Sequence, residues 1–297
     1  MKYFRITLLA VFAAFLITSC GGNKKQEAQT EDTFDLDSYI KAAEAVDPNL
    51  NKVDQIFKIL DMVNAEYYDA LTNDPYSAHN YKFSYPVAAA NLGIYSTDII
   101  YHFYGDATES MYTSFQAAQE LAKYLGLTSE FGSWTIERLE DSVVQRDTIT
   151  KLVNTLLADS EQYSSEQERV FVHTAFLAGT FIEKVFITGS ILKQKLSASN
   201  LSKEQDSDIR ELLVIYLNQL NPATGVIYDA FERQKDQLEG LVTLTTFERL
   251  EALSDHLKEV KPELIEAPIS EIASNTDLKT TFELVANLRN LLVNASE

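Results

Sequence analysis

Three side chains in the segment STDIIYHFYGD are spaced four residues apart and could act together: Asp98, His102 and Asp106. On a helix this spacing places successive side chains on one face. There a carboxylate could orient the imidazole of His102 as a general base or as a metal ligand. The alternative is an ordinary pair on a helix surface, which stabilises a helix by about 0.2–0.5 kcal/mol. Because no nucleophile or second metal ligand is identifiable, the sequence favours the surface pair.

Other patterns that catalysis or metal binding would require do not occur in the chain. Carboxylate-bridged metal sites in helical bundles use Glu-x-x-His, because a spacing of three places both ligands on one helix face. None of the four histidines has a carboxylate three residues before it. The motifs HExxH, GxxxxGK[ST] and GxSxG are missing as well. We therefore expect no metal, no cofactor and no catalytic residues.

Tyrosine is concentrated in one part of the chain, since nine of the fifteen tyrosines lie between residues 67 and 112. A tyrosine ring is broad and apolar with a polar tip, which suits a binding surface for peptides or sugars. The alternative is that these rings close the hydrophobic core near helix ends. We interpret the loop 75–85 and the helix 86–104 as a candidate binding surface. Its residues are Tyr76, Tyr81, Tyr85, Tyr95, Tyr101, His102 and Asp98.

Helices must position these side chains, because apolar residues recur with a period near 3.6 from Asp37 onward and no period-two alternation appears. All six prolines, Pro222 included, are predicted to fall between apolar stripes or in a first turn. Residues 37–297 are thus predicted to form a single all-α domain. We expect an irregular multi-helix bundle of antiparallel helical hairpins, weakly tetratricopeptide-like. The predicted helices are 38–46, 52–72, 86–104, 107–125, 134–162, 166–196, 203–220, 223–239, 242–260 and 276–294.

The predicted helix 166–196 is unusually apolar. It has no Asp, Glu, Lys or Arg from Val170 to Ile182. Glu183 and Lys184 then end a run that is shorter than the roughly 20 residues needed to cross a bilayer. The sequence therefore predicts a central helix buried on most sides. Its small residues Ala175 and Gly179 would allow a neighbouring helix to approach closely.

The single cysteine, Cys20, follows a short apolar run from Ile6 to Ile17 and two positive charges near the N-terminus. The run has the length of a signal-peptide core and is too short for a membrane span. The residues Leu16-Ile17-Thr18-Ser19-Cys20 resemble the lipobox of bacterial lipoproteins. The resemblance implies removal of residues 1–19 and attachment of diacylglycerol and an acyl chain such as palmitate to Cys20. The alternatives are an ordinary secretory signal with an incidental cysteine, or an uncleaved anchor.

Charge and composition exclude several partners. Removing the leader takes away two of the 25 basic residues and none of the 44 acidic ones, so the mature chain carries a net charge of −21. Such a chain repels nucleic-acid phosphates and anionic lipid headgroups, which leaves the acyl chains on Cys20 as the membrane link. Residues 21–36 are polar and predict a flexible tether that spans about 50 Å when extended. With no second cysteine, disulfides and cysteine-based metal sites are excluded.

The lipobox, the tether, the predicted all-α body and the segment PVAAANLGIYSTDIIY together resemble a class of all-helical lipoproteins of Bacteroidota. This resemblance covers most of the mature chain and implies a membrane-anchored protein of the cell envelope, without implying an activity. Two classes of function remain. One is a non-catalytic binding or structural module for a protein, peptide or glycan partner, which the lack of local motifs favours. The other is a cofactor-free hydrolase whose site assembles from dispersed Asp, Glu, His and Tyr.

The residues after Cys20 predict where the protein is anchored. Gly21, in place of an aspartate, favours the outer membrane by similarity to the enterobacterial sorting rule. The stretch GGNKKQE lacks a clear acidic run for surface export, which favours the periplasmic face. We predict that protease added to intact cells leaves the protein whole on an immunoblot, whereas protease added to lysed cells removes it. Loss from intact cells would instead place the protein on the cell surface.

Overall fold

All regular secondary structure in the described part of the chain is helical. These residues belong to one compact unit, Leu36–Glu297. They form α-helices, short 3-10 helices and connections with no strand among them, which confirms the predicted all-α class. The leader, Cys20, the tether, the predicted helix 38–46 and residues 134–144 fall outside them. The computed structural model describes residues 55–127, 145–166, 170–234, 243–260 and 262–295.

Nine α-helices occur within these ranges. In chain order, α1 to α9 are Gln55–Met62, Tyr85–Tyr104, Thr108–Leu125, Arg146–Glu166, Val170–Leu196, Lys203–Arg233, Thr243–Glu259, Ile269–Ser274 and Thr276–Val293. The 3-10 helices are Asp69–Leu71, Pro75–Tyr81 and Pro262–Glu266. Most boundaries lie within a few residues of the predicted ones, since they follow from apolar periodicity and from capping residues. Two predictions differ by more than this.

The predicted helix 52–72 is wrong in its second half. α1 ends at Met62, and Asn64 adopts a left-handed conformation with φ of 43°. The Ala65 amide donates to the Leu60 carbonyl at 2.9 Å, which closes the helix end. Asparagine tolerates a left-handed backbone better than most residues do. After α1 the chain therefore continues as a segment without an α-helix, and this segment contains part of the candidate site.

The predicted break at Pro222 is also wrong, because α6 runs unbroken through this proline. A proline inside a helix removes one hydrogen bond and costs about 3 kcal/mol. The residues on both sides repay that cost by burial, since Leu220, Ala223 and Ile227 all lie in the core. Apolar periodicity continues across Pro222, and tertiary packing outweighs the local penalty.

Two helix ends follow the capping rules. Ser202 precedes α6. Its hydroxyl accepts a hydrogen bond from the Gln205 amide, and its own amide donates to the Gln205 side-chain oxygen, which completes a capping box. Gly126 follows α3 in a left-handed conformation with φ of 86°. Glycine reaches this conformation without strain, so the helix ends at Leu125, the end that the sequence predicted.

α2 and α5 cross at the centre of the fold. Every residue of α2 from Pro86 to His102 is buried. A Cβ atom on Gly179 would lie 1.9 Å from the Ala90 carbonyl oxygen, and one on Gly93 would lie 2.2 Å from the Phe176 carbonyl oxygen. The two backbones therefore touch directly, which confirms the close approach predicted at Gly179.

The apolar stretch of α5 is a core element. Within the described residues, Phe171–Leu196 is the one helix whose length and hydropathy would allow it to cross a membrane, and 78% of its most apolar window is buried against the rest of the protein. Glu183 and Lys184, which interrupt the run in sequence, are themselves buried. The predicted central helix is thus confirmed, with α2 as an equally buried second one.

Because the backbones of α2 and α5 touch, we expect that adding a single methyl group at Gly179 destabilises the protein. Gly179→Ala should lower the free energy of unfolding by about 1–3 kcal/mol, because the helices must separate to admit the side chain. Gly225→Ala is the matched control, since nothing lies within 4 Å of its added Cβ and alanine is the better helix former. Urea unfolding followed by circular dichroism measures both variants. Equal midpoints for the two would contradict the direct backbone contact.

Candidate functional site

A surface pocket of about 390 Å³ lies where the segment 69–76 meets α2 and the start of α3. The segment contributes the 3-10 turn Asp69–Leu71 and the first residues of the 3-10 helix Pro75–Tyr81. Proline at the start of that second helix supplies a preset φ where no amide donor is needed. The lining residues are Asp69, Thr72, Asn73, Asp74, Pro75, Tyr76, His102, Glu109, Ser110 and Thr113.

Three exposed carboxylates give the pocket its charge: Asp69, Asp74 and Glu109. No lysine or arginine is among the lining residues. The carboxylate of Glu109 makes no hydrogen bond or ion pair with the part of the chain that the structure describes, although its backbone carbonyl accepts from the Thr113 hydroxyl at 3.2 Å. Since like charges repel and opposite charges attract at this range, the pocket favours a positively charged group.

Two of the carboxylates also shape the loop. Asp74 accepts hydrogen bonds from the Tyr76 amide at 3.0 Å and from the Ser77 hydroxyl at 3.2 Å, which caps the 3-10 helix. Asp69 accepts from the Tyr67 hydroxyl at 2.6 Å and from the Ser110 hydroxyl at 3.2 Å. The Ser110 contact joins the loop to α3, so the pocket walls are fixed to one another.

His102 forms the base of the pocket and is almost fully buried. Its Nδ1 lies 2.7 Å from the Tyr67 hydroxyl, and its Nε2 lies 3.1 Å from the Ser114 hydroxyl. Because Tyr67 donates its proton to Asp69, its oxygen accepts from Nδ1–H, and Nε2 then accepts from Ser114. Burial lowers the pKa of His102 to about 4, and the nearby Asp69 opposes this shift. The imidazole is therefore neutral at pH 7, with both nitrogens engaged.

The pairing of Asp98 with His102 that their spacing suggests does not form. Both side chains are buried on α2, and each has other partners, so the surface-pair interpretation is wrong as well. Asp98 accepts a hydrogen bond from the Asn73 amide at 3.0 Å, whereas His102 contacts Tyr67 and Ser114. A helix that is buried on all sides presents each face to a different neighbour. Asp106 lies beyond the end of α2 with φ of 54°.

The candidate tyrosine surface divides into two groups. Tyr76 is 77% exposed at the pocket and Tyr85 is 37% exposed, whereas Tyr81, Tyr95 and Tyr101 are buried. The buried hydroxyls bond to backbone: Tyr81 donates to the Val293 carbonyl at 2.8 Å, and Tyr95 donates to the Asp74 carbonyl at 2.7 Å. These rings close the core, so the interior interpretation holds for them. Of the proposed surface, Tyr76 and Tyr85 remain exposed.

A buried ionic cluster lies beneath the pocket loop, and sequence reasoning missed it. Arg289 of α9 donates to both carboxylate oxygens of Glu183 of α5, at 2.7 and 2.9 Å. The guanidinium also donates to the Leu71 carbonyl at 3.3 Å and lies 4.5 Å from the centre of the Phe186 ring. The signal that could have revealed the cluster is a lone charge in an otherwise uncharged stretch, as with Asp98. Such a charge requires a buried partner.

A second network of hydrogen bonds, next to the ionic cluster, anchors the pocket loop. The side chain of Asn73 donates to the Tyr81 hydroxyl at 3.2 Å and to the Asn91 side chain at 3.3 Å. Asn91 in turn donates to the Leu292 carbonyl at 3.0 Å, near the end of α9. The loop, α2 and the C-terminal helix therefore share one network of hydrogen bonds, and Asn73 is the lining residue that belongs to it.

Comparison of the chain with protein families, with curated proteins and with solved structures finds no significant match. Within the described residues, no group of three His, Cys, Asp or Glu side chains is arranged to hold a metal ion.

Acid titration tests the state of His102. Because its pKa in the folded protein, about 4, lies below the ordinary value of 6.5, folding becomes less favourable as pH falls through this window. Burial lowers the pKa of His173 similarly. We expect the unfolding constant of the wild type to rise up to about tenfold per pH unit for each histidine. His102→Gln should remove one of these two contributions, as measured by urea unfolding at several pH values.

The exposed His79 provides the control for this titration. His79→Gln is the control for the substitution itself, since it removes a histidine without disturbing the core. An unchanged slope in His102→Gln would contradict a buried neutral imidazole.

Proposed function

We propose that the protein is a cell-envelope lipoprotein, anchored through Cys20, that acts as a non-catalytic binding module. The observation that carries the proposal is the acidic pocket beside the exposed Tyr76. We infer that its ligand is a peptide or a protein segment with a lysine or arginine side chain. Anchoring at the periplasmic face of the outer membrane would present the pocket to other envelope proteins.

Charge supports this class of ligand. Asp69, Asp74 and Glu109 surround one opening, and hydrogen bonds from a cationic side chain to carboxylates are stronger than neutral ones. Asp69 is held by two donors, and Glu109 is unpaired within the described residues. A guanidinium or ammonium group entering the pocket would neutralise this excess of negative charge.

Tyr76 supports a peptide in particular. Its ring is the most exposed among the large apolar side chains of the described residues, and the Asp74 cap fixes its backbone. Exposed tyrosines are enriched at the centres of protein interfaces, and an aromatic face attracts a cation within about 6 Å. The ring and the carboxylates together suit a side chain that has an apolar stem and a positive end.

A hydrolase is the weaker alternative. The chain of contacts from Ser114 through His102 and Tyr67 resembles in order a nucleophile, a base and an orienting group. However, the Ser114 hydroxyl is fully buried, and both nitrogens of His102 already have partners inside the protein. A nucleophile must reach its substrate, so the binding function has the better support.

Binding experiments with paired ligands test the proposal. A short-peptide library containing lysine or arginine is compared with the same peptides carrying norleucine or citrulline, which lack the charge. We expect the basic peptides to bind and the neutral ones to bind at least about tenfold more weakly, since a charge-assisted hydrogen bond contributes about 1.5–3 kcal/mol. Fluorescence anisotropy with the purified protein gives both affinities. Equal affinities would reject a cationic ligand.

A pair of variants locates the site. Glu109→Gln should weaken binding, because it removes a carboxylate from the pocket. Glu271→Gln is the matched control, since Glu271 is also exposed in the first turn of a helix and its loss changes the net charge equally. Equal effects of the two variants would show general attraction to an acidic protein and no specific pocket.

A further inference from the structure

The contact between Asp98 and Glu183 places two carboxyl groups together in the interior of the fold. Both side chains have no exposed surface, and they lie within hydrogen-bonding reach of each other. They come from the two central helices, α2 and α5. One guanidinium, that of Arg289, faces them from α9. A fully ionised cluster would therefore carry one uncompensated negative charge away from water, which is strongly unfavourable.

The hydrogen bonds show which carboxyl group is ionised. Both oxygens of Glu183 accept from Arg289, the bidentate arrangement of a carboxylate with a guanidinium. Asp98 accepts from the Asn73 amide through Oδ2, and its Oδ1 has no donor although it is fully buried. A proton on Oδ1 would turn this atom into a donor toward Glu183, which would satisfy both carboxyl groups.

We propose that Asp98 and Glu183 share one proton in the folded protein, held on Asp98, and that its loss as the pH rises loosens the segment 71–74 beneath the pocket. Two residues of this segment form hydrogen bonds to the cluster and would respond to the loss of the proton. The Leu71 carbonyl accepts a hydrogen bond from Arg289, and the Asn73 amide donates one to Asp98. A second negative charge would draw Arg289 away from Leu71 and drive the two carboxylates apart. The part of this proposal that concerns ligand binding rests on the proposed function of the pocket.

The surrounding groups agree with this assignment. Burial and the Glu183 carboxylate raise the pKa of Asp98 well above its usual range, although Arg289 and the Asn73 amide oppose the shift. Burial also raises the pKa of Glu183, and Arg289 opposes it. The titratable neighbours Tyr81, from the 3-10 helix, and Tyr95, from α2, both have raised pKa values through burial, so both stay neutral in the alkaline range considered.

The raised pKa of Asp98 determines how the free energy of unfolding changes with pH. The folded state holds a proton that the unfolded chain releases near pH 4, so the stabilisation is complete below that pH and is lost as pH rises through the folded pKa. In this window the unfolding constant rises about tenfold per pH unit for one proton. This direction is opposite to that of the acid effect of His102.

Asp98→Asn is the decisive variant, because an amide keeps the acceptor for Asn73 and supplies a permanent donor to Glu183. The ratio of the unfolding constants of wild type and Asp98→Asn should increase by up to about tenfold per pH unit above pH 4, and it should level off once the pH exceeds the folded pKa of Asp98. Urea unfolding of both proteins at each pH gives this ratio, in which the titration of all other groups cancels. A ratio that does not change with pH would overturn the shared proton.

Glu183→Gln is the matched second variant. It leaves Arg289 without a carboxylate partner and should destabilise the protein at every pH. If Glu183→Gln were tolerated and Asp98→Asn were not, the proton would reside on Glu183 and the assignment would be wrong. Infrared difference spectra provide an independent test. The wild type at pH 7 should show the carbonyl band of a protonated carboxyl group, and Asp98→Asn should lack it.

The effect on the pocket is measured separately. Hydrogen exchange at the amide of Asn73 should accelerate with pH beyond the increase common to all amides in the wild type, and should not do so in Asp98→Asn. This readout needs no ligand, so it stands if the pocket binds no peptide. If basic peptides bind, their affinity should fall from pH 7 to pH 9 in the wild type alone. An affinity loss equal in both proteins would show that the cluster does not regulate the pocket.

Discussion

The bidentate pair of Glu183 with Arg289 is the contact on which the centre of this fold depends. It joins α5 to α9 through two buried side chains, where solvent screens the charges little. Removing either partner of such a pair typically costs about 3–5 kcal/mol, because the other charge stays buried alone. The pair also reaches the loop through Leu71 and the second central helix through Asp98. One guanidinium thus joins three parts of the chain that lie far apart in sequence.

The crossing of α2 and α5 explains why this cluster can be so compact. Gly93 and Gly179 let the two backbones touch, and the two carboxyl groups lie on the same pair of helices. Asp98 follows Gly93 by five residues and Glu183 follows Gly179 by four, each about one helical turn beyond the contact. The close approach of the two backbones therefore lies about one helical turn away from the two buried carboxyl groups on each helix.

Features that depend on adjacent residues could be predicted from the sequence, whereas features that depend on core packing could not. The helix ends beside Gly126 and Ser202 depend on adjacent residues, so the bounds predicted from sequence, Leu125 and Lys203, agree with the structure. The continuity of α6 through Pro222 depends on core packing, which outweighs the local rule. The Asp98–His102 pairing failed for a similar reason. A spacing of four places two side chains near one face, but in a helix buried all round each finds a different neighbour.

The candidate site was only partly accessible from sequence. The segment 75–104 was recognised from its tyrosines and from His102, and the pocket does contain Tyr76 and His102. Asp69 and Glu109 come from other elements, and no spacing rule connects residues that a turn and a helix end bring together. The buried tyrosines were misleading because a ring with a hydroxyl group fits both a surface and a core. A backbone carbonyl within reach, such as that of Val293 for Tyr81, decides between them.

The structure uses carboxylates in two opposite ways within a short distance along the chain. Asp69 has a side chain that is 71% exposed and lies at the opening of the pocket, where the Tyr67 and Ser110 hydroxyls donate to it. Asp98 has no exposed surface, and its charge can persist only if a cation compensates it. Arg289 is already paired with Glu183, so the cluster of these three side chains is neutral only when Asp98 keeps its proton. Negative charge is then concentrated at the opening of the pocket, while the proposed proton on Asp98 leaves the buried cluster of Asp98, Glu183 and Arg289 without net charge.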